Sequence, residues 1–187
     1  MESGQKINAF FSLQIPPELV DGMITLQRQR DAVQPQEREE IHITLAFLAG
    51  ADAAKIADAA ALISGRTWPV PRIRFTGEVR HGSWDLKKKN PDYRYDDATI
   101  QKGEQIRLGV EPVPELCGIY SDLTQHLGGA EDGYWPHVTL GLARADVPAA
   151  SMADLDIPSA SGPAPSLDLR QSGSATRFRV LVRRDLT

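Results

Sequence analysis

Apolar and polar residues alternate along several short stretches of the chain, which predicts β-strands because successive side chains of a strand point to opposite faces. The predicted strands cover residues 7–13, 41–48, 70–79, 104–110 and 136–143, and a closing hairpin covers 167–171 and 176–183. Helices are predicted where apolar residues recur three and four positions apart, or where alanine dominates. They cover residues 17–30, residues 52–64 and a segment that begins at Pro112 or Pro114 and ends at His126.

One pattern occurs twice: histidine, an apolar residue, threonine and leucine, at 42–45 and again at 137–140. Each copy lies in a predicted strand, so its histidine and threonine share one face. The first strand is expected to carry Glu40, His42, Thr44 and Ala46 on that face and Ile41, Ile43, Leu45 and Phe47 on the other. The second is expected to carry Trp135, His137, Thr139, Gly141 and Ala143 on its histidine face. The small residues beyond each threonine are expected to leave room for a ligand.

The two tetrads bring two imidazoles and two hydroxyls into one chain. A neutral imidazole can accept a proton from a nucleophile near neutral pH, while a protonated one donates to a leaving oxygen. A neighbouring threonine hydroxyl can donate a hydrogen bond to a phosphoryl oxygen as charge grows there. This set suits cleavage of a phosphodiester beside a ribose hydroxyl. Neither tetrad has a second ligand at helical spacing, which argues against a metal hydrolase that uses the two histidines as ligands.

The chain resembles the two-histidine (2H) phosphoesterase superfamily, whose signature is two motifs of the form HxTx or HxSx. The resemblance rests on both tetrads, on Pro16-Pro17-Glu18-Leu19 after the first strand, and on the closing LDLRQS and RFRVLV segments. It implies an α+β fold of two pseudo-symmetric lobes, each an antiparallel sheet with outer helices, with the active-site cleft between them. The chain departs from the family pattern in Ile41, where proline is frequent, and in a long insertion at 80–103.

The resemblance implies that His42, Thr44, His137 and Thr139 are catalytic. It implies a metal-independent phosphodiesterase that hydrolyses a 2′,3′-cyclic phosphate or a 2′-5′ phosphodiester of a nucleotide or RNA. Two alternatives stay open: an enzyme that degrades cyclic or 2′-5′ oligonucleotide second messengers, and a non-catalytic module that binds RNA or nucleotides. The sequence does not assign the acid and base roles to the two histidines.

The candidate substrate-binding residues are Trp135, Phe10, Arg177, Arg179 and Trp84. Trp135 either stacks on a base or packs between the lobes. Arg177 and Arg179 either contact phosphate or are exposed charges on the last strand, on the face opposite Phe178. Trp84 belongs to the 80–103 insertion, whose mixture of cations and aromatic residues suits nucleic-acid binding; the alternatives are a lid over the site and a solvated loop.

Composition narrows the class of protein. The 187 residues are 41% hydrophobic and 25% charged, with 21 Lys and Arg against 25 Asp and Glu, a net charge of −4. These values are typical of a single globular domain over 1–187 and exclude a histone-like polyanion-coating protein. Cys117 is the only cysteine, so an internal disulfide is excluded. We expect a cytoplasmic monomer with a nucleotide or RNA end as substrate, and no membrane, cofactor, metal or obligate protein partner.

Overall fold

The computed structural model describes residues 6–31, 33–82, 105–128, 133–143, 155–174 and 177–187. The strands within these ranges are β1 (Ile7–Gln14), β2 (Val33–Pro35), β3 (His42–Ala51), β4 (Arg72–Gly82), β5 (Gln105–Val110), β6 (His137–Ala143), β7 (Ser161–Pro163), β8 (Ser166–Ser174) and β9 (Arg177–Asp185). The helices are α1 (Pro17–Arg28), α2 (Ala53–Gly65), α3 (Pro114–His126) and a short 3₁₀ helix at Arg38–Glu40. The α+β prediction is therefore confirmed, with element boundaries that move by a few residues.

The strands form one antiparallel sheet in the order β7-β4-β5-β6-β3-β1-β8-β9, and β2 pairs with β6. The sheet has two halves. One contains β3, which begins at His42, and the other contains β6, which begins at His137. The halves join where β3 meets β6, through the single register pair Ile43 and Val138. The two predicted lobes are thus the halves of a continuous sheet, and the two tetrads lie on neighbouring strands.

The hydrophobic core lies on the face of the sheet opposite the histidines. Helix α1 begins at Pro17, whose missing N–H costs nothing in a first turn, and buries Leu19 and Met23. Helix α2 begins after Asp52, whose carboxylate accepts a hydrogen bond from the backbone N–H of Lys55 at 2.9 Å. These helices pack with the apolar residues of the tetrad strands, including Ile43 and Val138, in one core. The other face of the sheet is left for the histidines.

Both tetrad strands contain a β-bulge at the same place, directly after the threonine. Leu45 has no partner in the register of β1 with β3, and Leu140 has none in the register of β5 with β6. An extra residue reverses the alternation of faces from that point onward. Phe47 therefore lies on the face of His42, with its ring centroid 5.7 Å from that of Phe10.

The faces predicted beyond the threonines were wrong, because these bulges were not anticipated. Ala46 does not share the face of His42 and packs against the core instead. Gly141 pairs with Ile106, a fully buried core residue, so it does not continue the face of His137. The room expected next to Thr44 is thus bordered by the aromatic ring of Phe47.

The long insertion begins later than predicted. Strand β4 continues to Gly82, so Arg80 and His81 belong to the sheet. Residues 83–104, including Trp84, lie outside the described residues. The predicted lid falls within this segment. No helix in the described ranges has the length and apolar character that a membrane crossing would require.

Candidate active site

His42 is confined by aromatic side chains. It is the first residue of β3, directly after the 3₁₀ helix and Ile41. Its ring stacks on Phe10 with centroids 5.3 Å apart, and Phe178 meets it edge-on at 5.5 Å. Phe10 comes from β1 and Phe178 from β9, so three strands hold the imidazole in place. We call this half of the site, formed by β3, β1, β8 and β9, the His42 wall.

The surroundings of His42 favour its neutral form. Burial lowers its pKa from the ordinary value of 6.5 to about 3, and the positive charge of Arg170 acts in the same direction. The backbone carbonyl of Glu40 and the charge of Asp168 oppose this shift. Among the described residues, no group lies in hydrogen-bond geometry with Nδ1 of His42. At neutral pH the imidazole is therefore uncharged.

His137 lies in a more polar setting on β6. Its Nδ1 is 2.9 Å from the carbonyl oxygen of Trp135, and its ring stacks on the Trp135 indole with centroids 5.0 Å apart. The indole N–H donates to a carboxylate oxygen of Glu78 at 3.0 Å, and the Arg80 guanidinium lies 4.0 Å from the indole centroid. Arg80 and Glu78 also form an ion pair at 2.7 Å. We call this half, formed by β6, β5 and β4, the His137 wall.

The contact with Trp135 fixes the tautomer of His137. A carbonyl oxygen only accepts hydrogen bonds, so Nδ1 must carry the proton. Nε2 is then the nitrogen whose protonation state can change during a reaction. The same arrangement is compatible with a protonated ring, because both nitrogens of an imidazolium are donors.

The two histidines face one another across the junction of β3 and β6. Extending the antiparallel register of Ile43 and Val138 by one residue in each direction sets His42 beside Thr139 and Thr44 beside His137. The charge of His137 is one of the influences that lower the pKa of His42, which agrees with this proximity. Two imidazoles and two hydroxyls thus lie on one face of two neighbouring strands.

The residues beside the two threonines differ between the walls. Thr44 has Ser12 as its partner on β1, whereas Thr139 has Arg107 on β5, and Arg107 pairs in turn with Arg80. Arg107 is half-buried, and burial lowers the pKa of its guanidinium. Its Nε donates to the side-chain oxygen of Gln105 at 3.2 Å. The His137 wall therefore presents cations next to its threonine.

The structure brings two of the predicted substrate-binding residues to the histidines. Phe10 contacts His42, and Trp135 contacts His137. Arg179 is exposed and pairs with Gln171, while its neighbour Phe178 packs on His42. The side chain of Arg177 and the whole of Trp84 lie outside the described residues.

Several residues of the site were not predicted from the sequence. They are Phe178, Arg170, Arg107, Glu78 and, as a contact of Trp135, Arg80. Phe178 and Arg179 lie on opposite faces of the last strand, and it is the face of Phe178 that adjoins the site at His42. A register shift between Leu169 and Arg170 also puts Arg183 beside Asp168, a placement that simple alternation does not show.

No group of three or more His, Cys, Asp or Glu side chains in the described part of the chain is placed to hold a metal ion.

The chain is similar to several proteins of known structure. No protein-family model matches the chain, and no curated protein matches its sequence. Among solved structures, E. coli LigT superimposes with a TM-score of 0.67 at 22% identity, covering 98% of this chain and 99% of LigT. The chain has the LigT fold.

Other structures share the LigT fold. TT0787 of Thermus thermophilus superimposes with a TM-score of 0.70 at 16% identity, over 96% of this chain and 98% of that protein. A protein described as a phosphoesterase superimposes with a TM-score of 0.66 at 22% identity, over 97% of this chain and 99% of that protein. LigT itself has been crystallised with phosphate, NADP+, 3′-AMP and ATP. The LigT fold extends over nearly the whole chain, so the expected α+β architecture is confirmed.

Proposed function

We propose that the chain is a metal-independent phosphodiesterase of the 2H type. Its substrate is a nucleotide or RNA end that carries a 2′,3′-cyclic phosphate or a 2′-5′ phosphodiester. The observation that carries the proposal is the pair of histidines on adjoining antiparallel strands, His42 held neutral and His137 with its proton fixed on Nδ1. The nucleotides bound by LigT support this class of substrate for a chain of the same fold.

In the proposed reaction, the neutral ring of His42 accepts a proton from a water molecule as the water oxygen bonds to phosphorus. The bond between phosphorus and the ribose oxygen breaks, and the leaving oxygen takes a proton from Nε2 of His137. The two histidines exchange protonation states, and solvent resets them. Thr44 and Thr139 donate hydrogen bonds to the non-bridging oxygens, where negative charge increases.

The remaining contacts of the substrate follow from the composition of the walls. Phe10 was a predicted substrate contact, but it is 2% exposed and packs under the His42 ring, so it supports that ring instead. Trp135 supplies an aromatic surface for the nucleoside beside His137. Arg107 lies next to Thr139 and suits a phosphoryl oxygen. Arg177, Arg179 and Trp84 stay predicted contacts of the more distant parts of the substrate.

The test is a turnover panel of 2′,3′-cyclic mononucleotides, 2′-5′ and 3′-5′ dinucleotides and cyclic oligonucleotides, run with and without EDTA. We expect undiminished turnover in EDTA and a loss of about 10²-fold or more in His42→Ala and in His137→Ala. His126→Ala is the matched control, because His126 pairs with Asp58 between α3 and α2. Turnover that survives either tetrad variant, in a protein that is still folded, contradicts the proposal.

A second candidate is a module that binds nucleotides without cleaving them. It is favoured by the LigT complexes with ATP and NADP+, which have no 2′,3′-cyclic phosphate to open. Binding of several nucleotides without turnover of any member of the panel would support it. Preference for the cyclic oligonucleotides in the same panel would instead indicate an enzyme that degrades second messengers.

A further inference from the structure

A buried ion cluster lies behind the His42 wall. Arg170 on β8 is 3% exposed and Asp168 is fully buried. The two side chains form an ion pair at 3.0 Å. Arg183 on β9 binds the same carboxylate at 2.9 Å, and the hydroxyl of Ser166 donates to it at 3.2 Å. Charged side chains are rarely buried to this extent unless each has a partner of opposite charge. In this cluster, the Asp168 carboxylate is the partner of both Arg170 and Arg183.

Arg170 reaches from this cluster to the backbone that carries His42. Its Nη1 donates a hydrogen bond of 2.7 Å to the carbonyl oxygen of Glu39. Glu39 belongs to the 3₁₀ helix that ends at Glu40, two residues before His42. In the register of β1 with β8, Arg170 lies opposite Phe10, the residue on which the His42 ring stacks. One guanidinium therefore contacts the segment before His42 and adjoins the ring beneath it.

We propose that Arg170, oriented by Asp168, is a positioning residue of the candidate site, which anchors the backbone before His42 and puts a permanent positive charge behind its ring. The geometry of the proposal is independent of any substrate. Its consequence for catalysis, that His42 is the uncharged member of the histidine pair, rests on the proposed function.

The groups around His42 act on its proton in opposite directions. Arg170 disfavours a proton on the ring, and His137 across the junction does the same. Asp168 and the carbonyl of Glu40 favour a proton, but the Asp168 carboxylate is shared with two guanidinium groups. The other contacts, Phe10 and Phe178, are uncharged rings. Removing Arg170 would leave Asp168 as the nearest charge on β8 and make a protonated His42 more favourable.

The test is an NMR titration of the His42 ring in the wild type and in Arg170→Met, between about pH 2 and pH 8. We expect the midpoint to rise by about one pH unit in the variant, because it loses a neighbouring like charge. Arg183→Met is the matched control: Arg183 also binds Asp168, but it is half-exposed and does not hold the Glu39 carbonyl. Its midpoint is expected to stay near that of the wild type.

Two further variants cover the case in which Arg170→Met does not fold. Arg170→Gln retains an amide donor for the Glu39 carbonyl without a charge, so the same rise is expected. Arg170→Lys retains the charge and should titrate close to the wild type. An unchanged midpoint in folded Arg170→Met or Arg170→Gln overturns the proposal, and so does an equal rise in Arg183→Met.

The titration needs no substrate, so its result is separate from that of the turnover panel. A chain that cleaves no member of the panel but shows the shift retains the role of Arg170 and loses the phosphodiesterase proposal. A chain that is active and shows no shift retains the phosphodiesterase and loses the role of Arg170.

Discussion

The His42 wall and the His137 wall start from nearly the same tetrad and place it in different surroundings. Both strands carry a bulge at the leucine that ends the tetrad, Leu45 in one and Leu140 in the other. Around His42 the neighbours are aromatic rings and a buried arginine. Around His137 they are an indole and the exposed ion pair of Arg80 with Glu78.

This difference shows how a repeated motif acquires two electrostatic environments. The tetrad sets the face and the order of the histidine and threonine, but the strands that flank it set the electrostatics. Strands β1, β8 and β9 supply rings and a buried charge to His42, which favours its neutral form. Strands β4 and β5 supply solvated charges to His137, and the Trp135 carbonyl orients its ring. The asymmetry can be tested wall by wall.

The largest effect is expected in the pH dependence of stability. His42 has an ordinary pKa of 6.5 when unfolded and about 3 when folded, so between these values the unfolded chain binds the extra proton. The free energy of unfolding should therefore fall as pH drops from 6.5 towards 3. The share due to His42 is about 3 kcal/mol, below the full linkage value because the ring retains some contact with solvent.

Urea unfolding at pH 7 and at pH 4 measures this effect. His42→Gln should lose less stability than the wild type between the two values, since glutamine does not titrate. His137→Gln is the comparison on the other wall: it removes only the weakest influence on the pKa of His42 and keeps the rings of Phe10 and Phe178 around it. Equal losses in the wild type and in His42→Gln would show that His42 is not the sheltered histidine.

The next effect compares the residues that follow the two bulges. A Cβ at Gly141 would overlap the carbonyl oxygen of Gln34 and lie 2.7 Å from Cγ1 of Val33, so Gly141→Ala should cost about 2 kcal/mol. The equivalent residue of β3 is Ala46, and Ala46→Gly should cost only about 1 kcal/mol, from backbone entropy. Thermal unfolding of both variants checks the order. A harmless Gly141→Ala would mean that β2 does not approach β6 as closely as described.

The smallest effect concerns a contact between the walls. Tyr134 comes just before the second tetrad, and its hydroxyl donates to the backbone oxygen of Thr44 at 3.4 Å. Burial raises the pKa of Tyr134, so the hydroxyl stays a donor. Tyr134→Phe should cost about 0.5 kcal/mol, because it removes this bond and leaves the ring stacked on Tyr120.

Tyr120→Phe is the matched control for this contact, since it alters the other ring of the stack. Denaturant unfolding of both variants gives the two costs. A larger loss in Tyr120→Phe than in Tyr134→Phe would contradict the assignment of this bond as a link between the walls.

Much of the fold and the centre of the site could be predicted from the sequence. Proline at Pro17 and the apolar spacing of Leu19 and Met23 identified α1, and alternation identified the strands that contain the tetrads. These signals are local, so they are present in a short stretch of sequence. The faces of Ala46 and Phe47 could not be predicted, because a bulge depends on the register with a strand that is distant along the chain.

The sequence by itself determined that two histidines and two threonines share faces of two strands, since a period of two residues places His42 with Thr44 and His137 with Thr139. Only the tertiary structure decided what surrounds each ring. Arg170 is 128 positions from His42 in the sequence and reaches the backbone before it only because β8 pairs with β1 and β1 with β3. Electrostatic environment depends on distance in space, and the pairing of distant strands establishes that distance.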